Sequence, residues 1–219
     1  MTSNHKKHSS LVKSDWEGKS VGIKGLVLAG GKSQRMGHDK GAIQYYGQDH
    51  REYTADLVNT FCKEVFLSVR PGQELESNYP QIEDTFLNLG PYGGILSAFR
   101  DDPNSAWLVL ATDLPLVDSA LLSELVSQRN PEKAATCFYN PETDLPEPLI
   151  TIWEPRAYPL LLQNLAEGYS CPRKSLIRSE KEMIQTSDPS KLLNVNKPEE
   201  LEQIKMKIQN KMSGKVSPA

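Results

Sequence analysis

The sequence predicts a layered α/β domain, a three-layer Rossmann-like unit with a mixed, mostly parallel sheet. Three observations predict it. Apolar runs with strand character alternate with segments of helical periodicity, the pattern of a sheet covered by helices. One run, "AWLVLATDLP", is apolar along almost its whole length, as suits a central parallel strand covered on both faces. Two later runs, "KAATCFYN" and "EPLITIWE", are separated only by the loop "PETDLP", which implies some antiparallel pairing.

The elements follow in order. "VGIKGLVLAG" is the first strand, dense in apolar residues from Ile23 to Leu28 and closed by two glycines. "YTADLVNTFC" places Leu57, Val58, Phe61 and Cys62 at helical spacing. "EVFLSVR" is a second strand that stops at Pro71-Gly72, and "GGILSAFR" opens a helix after Gly90-Pro91. "AWLVLATDLP" is the third strand, and "VDSALLSELVSQR" a helix capped by Asp118 or Ser119. The two paired strands come next. "PRAYPLLLQNLAEG" is then a helix with Pro155 near its start and Gly168 at its end. "LLNVN" reads as a last short strand, and "KPEELEQIKMKIQ" as a last helix with two glutamates in its first turn. One domain is expected over residues 21–210, with flexible tails over 1–20 and 211–219.

Bulk properties exclude several function classes. The chain has 219 residues and a formal net charge of −3, which gives no support to a nucleic-acid binder. Cys62, Cys137 and Cys171 are far apart and form neither a CxxC pair nor a zinc spacing, so reduced thiols are expected. None of His5, His8, His38 and His50 has metal-ligand spacing to Cys, Asp or Glu. No segment suits a transmembrane helix and the N-terminus lacks the apolar core of a signal peptide, so the expected location is cytoplasmic. Ser33 and Ser97 have no recognisable His/Asp partner for a nucleophilic triad.

The stretch "LAGGKSQRMGHDK", Leu28 to Lys40, follows the first strand directly. In open α/β sheets, ligands sit outside the carboxyl ends of the strands. Gly30 and Gly31 let backbone N–H groups approach an anion, and Arg35 and Lys40 can add charge-assisted bonds to phosphate oxygens. A basic turn with no ligand is the alternative. The patterns GxxxxGK[ST] and GxGxxG are both absent, since Gly37 precedes His38; this removes the common ATPase loop and disfavours an NAD-dependent oxidoreductase. "VLATDLPLV" sets Asp113 just past a buried strand on the same edge, where a carboxylate can hold Mg²⁺ or cap the next turn.

"LAGGKSQRMGHDK" closely resembles the LAGGxSxRMGxDK signature of sugar-nucleotide-type nucleotidyltransferases, and within them the molybdenum cofactor guanylyltransferase family. The resemblance runs from about Gly22 to about Leu201 and is weak across "YYGQDHREY", where the family usually has a Gly-Lys-Pro-Leu turn. It implies the nucleotide-diphospho-sugar transferase type of fold. It implies Mg²⁺-dependent transfer of GMP from GTP to the terminal phosphate of molybdopterin, with release of pyrophosphate. The Leu28, Ala29, Gly30 and Gly31 backbone would meet the nucleotide, Arg35 and Lys40 its β- and γ-phosphates, and Asp113 of the (C/T)D(M/L)P motif the metal. Lys32 occupies a variable position of the pattern.

Further positions carry over one by one. Asp84, ahead of a GPxxGI-like "GPYGGI" with Tyr92 where Leu is usual, would contact the nucleotide; a loop or cap residue is its other reading. "LLNVNKPEEL" resembles the family's NxNTPEEL ending, with Lys197 in place of Thr. Its Asn194 and Asn196 face one way on a strand and would bind the acceptor, complete the metal shell or cap the last helix. Arg173 of "CPRKS" would face the pterin phosphate, with a solvated Arg173-Lys174 pair as the alternative. Glu147 and Pro148 match the (Q/E)PL strand and are read as structural, with the acceptor side as the alternative. Partners would be other proteins of molybdenum cofactor biosynthesis, with neither nucleic acid nor membrane. A related enzyme using CTP or a sugar or polyol phosphate acceptor, and a nucleotide-binding protein without turnover, stand as rivals.

Overall fold

The computed structural model describes residues 22–30 and 49–194. The two predicted tails, the segment holding Gly31, Arg35 and Lys40, and the last predicted helix with Asn196 lie outside the described residues.

The elements in chain order are β1 (Ile23–Leu28), α1 (His50–Asn59), β2 (Val65–Val69), β3 (Gln81–Glu83), α2 (Pro91–Asp101), β4 (Ala106–Ala111) and α3 (Ser119–Ser127). There follow β5 (Ala135–Asn140), β6 (Leu145–Trp153), α4 (Ala157–Ala166), α5 (Pro172–Arg178), β7 (Lys181–Ile184) and a 3-10 turn, Pro189–Leu192. The seven strands form one sheet in the order β3-β2-β1-β4-β6-β5-β7. β6 is antiparallel to both its neighbours, β4 and β5, and every other pairing is parallel. The mixed, mostly parallel sheet is therefore as the sequence predicts.

Alternation along β4 explains its unbroken apolarity. Ala106, Leu108 and Leu110 enter one core layer with Ala55 and Val58 of α1 and Leu121, Leu122 and Leu125 of α3. Trp107 and Val109 enter the other, with Ile95, Leu96 and Phe99 of α2, Leu161 of α4 and Leu176 of α5. Successive side chains of a strand point to opposite faces, so a strand between two helical layers must be apolar at every position. Asp118 is the cap of α3, its carboxylate accepting from Leu121 N at 3.1 Å.

Three elements escape the sequence reading. β3 and β7 are edge strands of three and four residues, too short for a period to show. α5 has seven residues, opened by Pro172. One expectation is corrected. "LLNVN" is not a strand where it is described: Leu192 closes the 3-10 turn, and Leu193 and Asn194 belong to no ladder. The turn is set by Asp188, which accepts from Ser190 N at 3.2 Å, and by Pro189 behind it. The apolar pair Leu192-Leu193 mimics a strand, but Leu192 is buried as a plug in the α1/α3 layer.

Candidate active site

From β1 the sheet grows outward through β2 and β3, then returns to place β4 on the other side of β1. The chain order reverses between β1 and β4. At such a switch point the loops leaving adjacent strands part, and a crevice opens at their carboxyl ends. Leu28 and Ala111 are register partners here, so Ala29 and Gly30 leave the sheet beside Thr112 and Asp113. Thr112 Oγ1 donates to Leu28 O at 3.5 Å, and Ala29 N to Ser68 O at 3.2 Å. The glycine segment and Asp113 therefore share one sheet edge.

On the β2/β3 side, Asp84 follows β3 directly. Its N–H donates to Val69 O at 2.8 Å and its carboxylate accepts from Ser68 Oγ at 2.7 Å. Burial pushes the Asp84 carboxyl upward, against the Ser68 hydrogen bond and the Arg70 charge. Behind it, α2 starts at Gly90, whose φ of 56° is easily adopted only by glycine. A Cβ on Gly94 would lie 2.5 Å from Ser68 Oγ and 3.0 Å from Leu28 Cδ2. The amino end of α2 is thus pressed against the ends of β1 and β2. Ser68, which no motif marks, links Asp84 to this contact.

On the β4 side, Asn194 Nδ2 donates to Asp113 Oδ2 at 2.7 Å. Lys191 places this amide: its ammonium lies 2.9 Å from Asp118 Oδ1 and anchors the 3-10 turn to the start of α3. Asn194 Oδ1 is buried with no hydrogen-bond partner among the described residues.

β6 brings the remaining group. Leu110 pairs with Ile150, and continuing that antiparallel register carries Asp113 toward Glu147. Glu147 is only 4% exposed. It accepts from Asn140 Nδ2 at 3.1 Å and from Leu149 N at 3.3 Å, and lies 3.4 Å from an Arg173 guanidinium nitrogen. Arg173 Nε is also buried and unpartnered among the described residues. Arg173 is therefore no freely solvated charge but faces a buried carboxylate, and Glu147 is both tied into the framework and part of the site.

Burial raises the Glu147 pKa more than its hydrogen bonds and Arg173 lower it, and the Asp113 charge adds to the rise. A raised acid binds its proton more tightly when folded, so its contribution to stability is present below the ordinary glutamate range. It is lost as pH climbs through the raised value. Glu147→Gln is expected to gain stability relative to the parent between pH 4 and pH 8. Urea titrations of both proteins at the two pH values check this, and a relative loss over that interval would count against it.

Among the predicted residues, the structure joins Leu28, Ala29 and Gly30 to Asp113, Asp113 to Asn194, and Asp84 to the β2 and α2 flank. Arg173 joins through Glu147. Arg35, Lys40, Gly31 and Asn196 lie outside the described residues. No group of three or more His, Cys, Asp or Glu side chains suited to a metal occurs among the described residues, nor does a helix long and apolar enough to cross a membrane.

Comparison with known proteins bears on the family and the fold. Residues 25–183 match the family described as MobA-like NTP transferase domain. The chain is 39% identical over 184 residues to the molybdenum cofactor biosynthesis bifunctional protein of Synechocystis, covering 82% of this chain and 53% of that protein. It thus spans about half the length of that relative. It is 26% identical over 186 residues to a probable molybdenum cofactor guanylyltransferase of Flavobacterium johnsoniae, covering 84% of this chain and 96% of the relative. The fold superposes on the crystal structure of molybdopterin-guanine dinucleotide biosynthesis protein A from Archaeoglobus fulgidus with a TM-score of 0.71 at 22% identity, over 85% of this chain and 99% of that one. With a family match over most of its length, the chain belongs to the MobA-like NTP transferase domain family and is a nucleotidyltransferase domain.

Proposed function

We propose that the protein transfers GMP from GTP to the terminal phosphate of a molybdopterin-type acceptor in the cytoplasm. An acceptor phosphate oxygen forms a bond to the α-phosphorus, the bond to the β-phosphate bridging oxygen breaks, and pyrophosphate leaves with that electron pair. No protein nucleophile is needed, because the acceptor brings its own anion. The observation that carries the reading is the Asn194–Asp113 pair beside the Leu28–Gly30 exit of β1.

The residues fit a magnesium ion. Mg²⁺ takes oxygen donors, commonly one or two carboxylates with waters and substrate phosphates. Asp113 supplies the carboxylate, and Asn194 Oδ1, without a partner among the described residues, is a hard oxygen next to it. The ion would neutralise phosphate charge there. Leu28, Ala29, Gly30, Gly31 and Asp84 hold the nucleotide in this reading. Arg35 and Lys40 hold its β- and γ-phosphates, while Arg173, Asn194 and Asn196 face the acceptor. Catalysis then rests on positioning and fixed charge. Other proteins of molybdenum cofactor biosynthesis are the partners implied.

A nucleotide panel tests the donor. With Mg²⁺ present, GTP at about a hundred times its dissociation constant adds about 2.7 kcal/mol of stability. For a domain of this size that is a rise in Tm of about 5–10 °C, and CTP, ATP and UTP should give less. Pyrophosphate release on adding molybdopterin then tests turnover. A larger shift with CTP, or turnover only with a sugar or polyol phosphate, moves the assignment within the nucleotidyltransferases. Binding without pyrophosphate release refutes the transfer reaction.

A further inference from the structure

Tyr92 is the second residue of α2, directly before Gly93 and Gly94, and is fully buried. Its side chain runs to α4 and α5. The hydroxyl lies 2.8 Å from Leu161 O and 3.1 Å from Ser175 Oγ. A phenol has one proton, and a backbone carbonyl can only accept. The Tyr92 proton therefore goes to Leu161 O, and the Ser175 hydroxyl must donate to the Tyr92 oxygen. Ser175 accepts in turn from Asn164 Nδ2 at 3.1 Å, and Asn164 Oδ1 accepts from Arg178 Nε at 2.9 Å. Every member of this chain donates in one sense, from Arg178 on α5 to the Leu161 carbonyl on α4. Ser175 and Asn164 are buried, so each bond would be costly to leave unmade.

The chain of bonds ties the amino end of α2 to α4 and α5. At one end is the Gly90–Gly94 turn, pressed on Ser68 and Leu28 and next to Asp84. At the other is α5, where Ser175 lies two residues beyond Arg173. Arg173 has few restraints of its own: one ion pair with Glu147 at 3.4 Å, and an Nε without a partner among the described residues. Its placement depends on where α5 sits. We propose that Tyr92 is a positioning residue that sets α5, and through it Arg173, relative to the nucleotide turn. This rests on the guanylyl-transfer reading above. Loss of the hydroxyl alone leaves the ring packed, removes the acceptor of the Ser175 proton, and frees α5 to shift against α2.

The test is steady-state transfer from GTP to molybdopterin by the full chain, followed by pyrophosphate release. Tyr92→Phe removes both bonds of the hydroxyl, of which only the Ser175 bond reaches α5; KM for molybdopterin is expected to rise about fivefold, the scale of that one buried hydrogen bond, while kcat and KM for GTP stay within about twofold. Ser175→Ala breaks the same link from α5 and should raise the same KM, which keeps the proposal open to refutation if the tyrosine variant folds poorly. Both variants remove the Tyr92–Ser175 link, and Ser175→Ala also removes the Asn164 bond, so the double variant should raise KM for molybdopterin no further than Ser175→Ala alone. A purely structural pin would lower Tm in either variant and leave molybdopterin KM unchanged; that result overturns the proposal, as do effects that multiply in the double variant. A parent protein that transfers nothing overturns the guanylyl-transfer reading itself, and is told apart because it appears before any substitution is made.

Discussion

Asp113→Ala is expected to lower Mg²⁺-dependent pyrophosphate release about a hundredfold or more, the scale of losing one key electrostatic group. The residue sits at the carboxyl end of β4, where the sheet's order reverses, and its Oδ2 accepts from Asn194 at 2.7 Å. Alanine removes the carboxylate proposed to hold the metal and leaves the Asn194 amide without its acceptor. The stability cost should be far smaller, about 1–3 kcal/mol for the unpaired amide. Turnover and melting temperature should therefore separate. Initial rates over a range of Mg²⁺ concentrations, beside a thermal melt, check both. An alanine variant with the parent's rate and metal dependence would remove Asp113 from the site.

Gly93→Ala should produce the largest change in stability through a single methyl group. A Cβ there would lie 2.3 Å from Phe86 O, a backbone atom that no side-chain rotation can clear. Either the 86–90 turn or the start of α2 must move. Both are held: Gly93 N donates to Gly90 O at 2.9 Å, and Ser97 Oγ accepts from Thr85 N while donating to Gly93 O. Overpacking of this kind costs about 1–3 kcal/mol, or a fall of about 2–12 °C in Tm for a domain of this size. Because Asp84 immediately precedes Thr85, the displaced turn should also raise KM for GTP. Thermal melts and GTP saturation curves check the two effects together. A variant that melts and saturates like the parent would mean the turn yields freely.

The site was legible in the sequence to the extent that its residues sit next to strand ends. Leu28 to Gly30 and Asp113 each follow an apolar run that could only be a buried strand, so their shared edge could be inferred before any coordinates. Glu147 could not be placed that way. It lies inside β6, three residues before Ile150; the antiparallel register with β4 carries it toward Asp113, and the packing of α5 brings Arg173 to it. Ser68 is equally silent in sequence, since a serine in a strand has no pattern of its own. For Asn194 the sequence implies a strand, and the structure has none there. Its contact with Asp113 comes from a 3-10 turn anchored by Lys191 to Asp118, not from the alternation of a strand.

The α/β class, the five longer strands, the helices α1 to α4 and the position of the glycine segment and Asp113 at strand ends can all be read from the residues alone. Those follow from local periodicity and from turn chemistry, which act over a few residues. The edge strands β3 and β7, the short helix α5, the 3-10 turn at Pro189–Leu192 and the partners of Glu147, Tyr92 and Asn194 arise from long-range packing instead. A strand of three residues has no stability without the neighbour it pairs with. Likewise, a buried hydrogen bond such as Tyr92 to Leu161 joins residues 69 positions apart, and no local pattern encodes its direction.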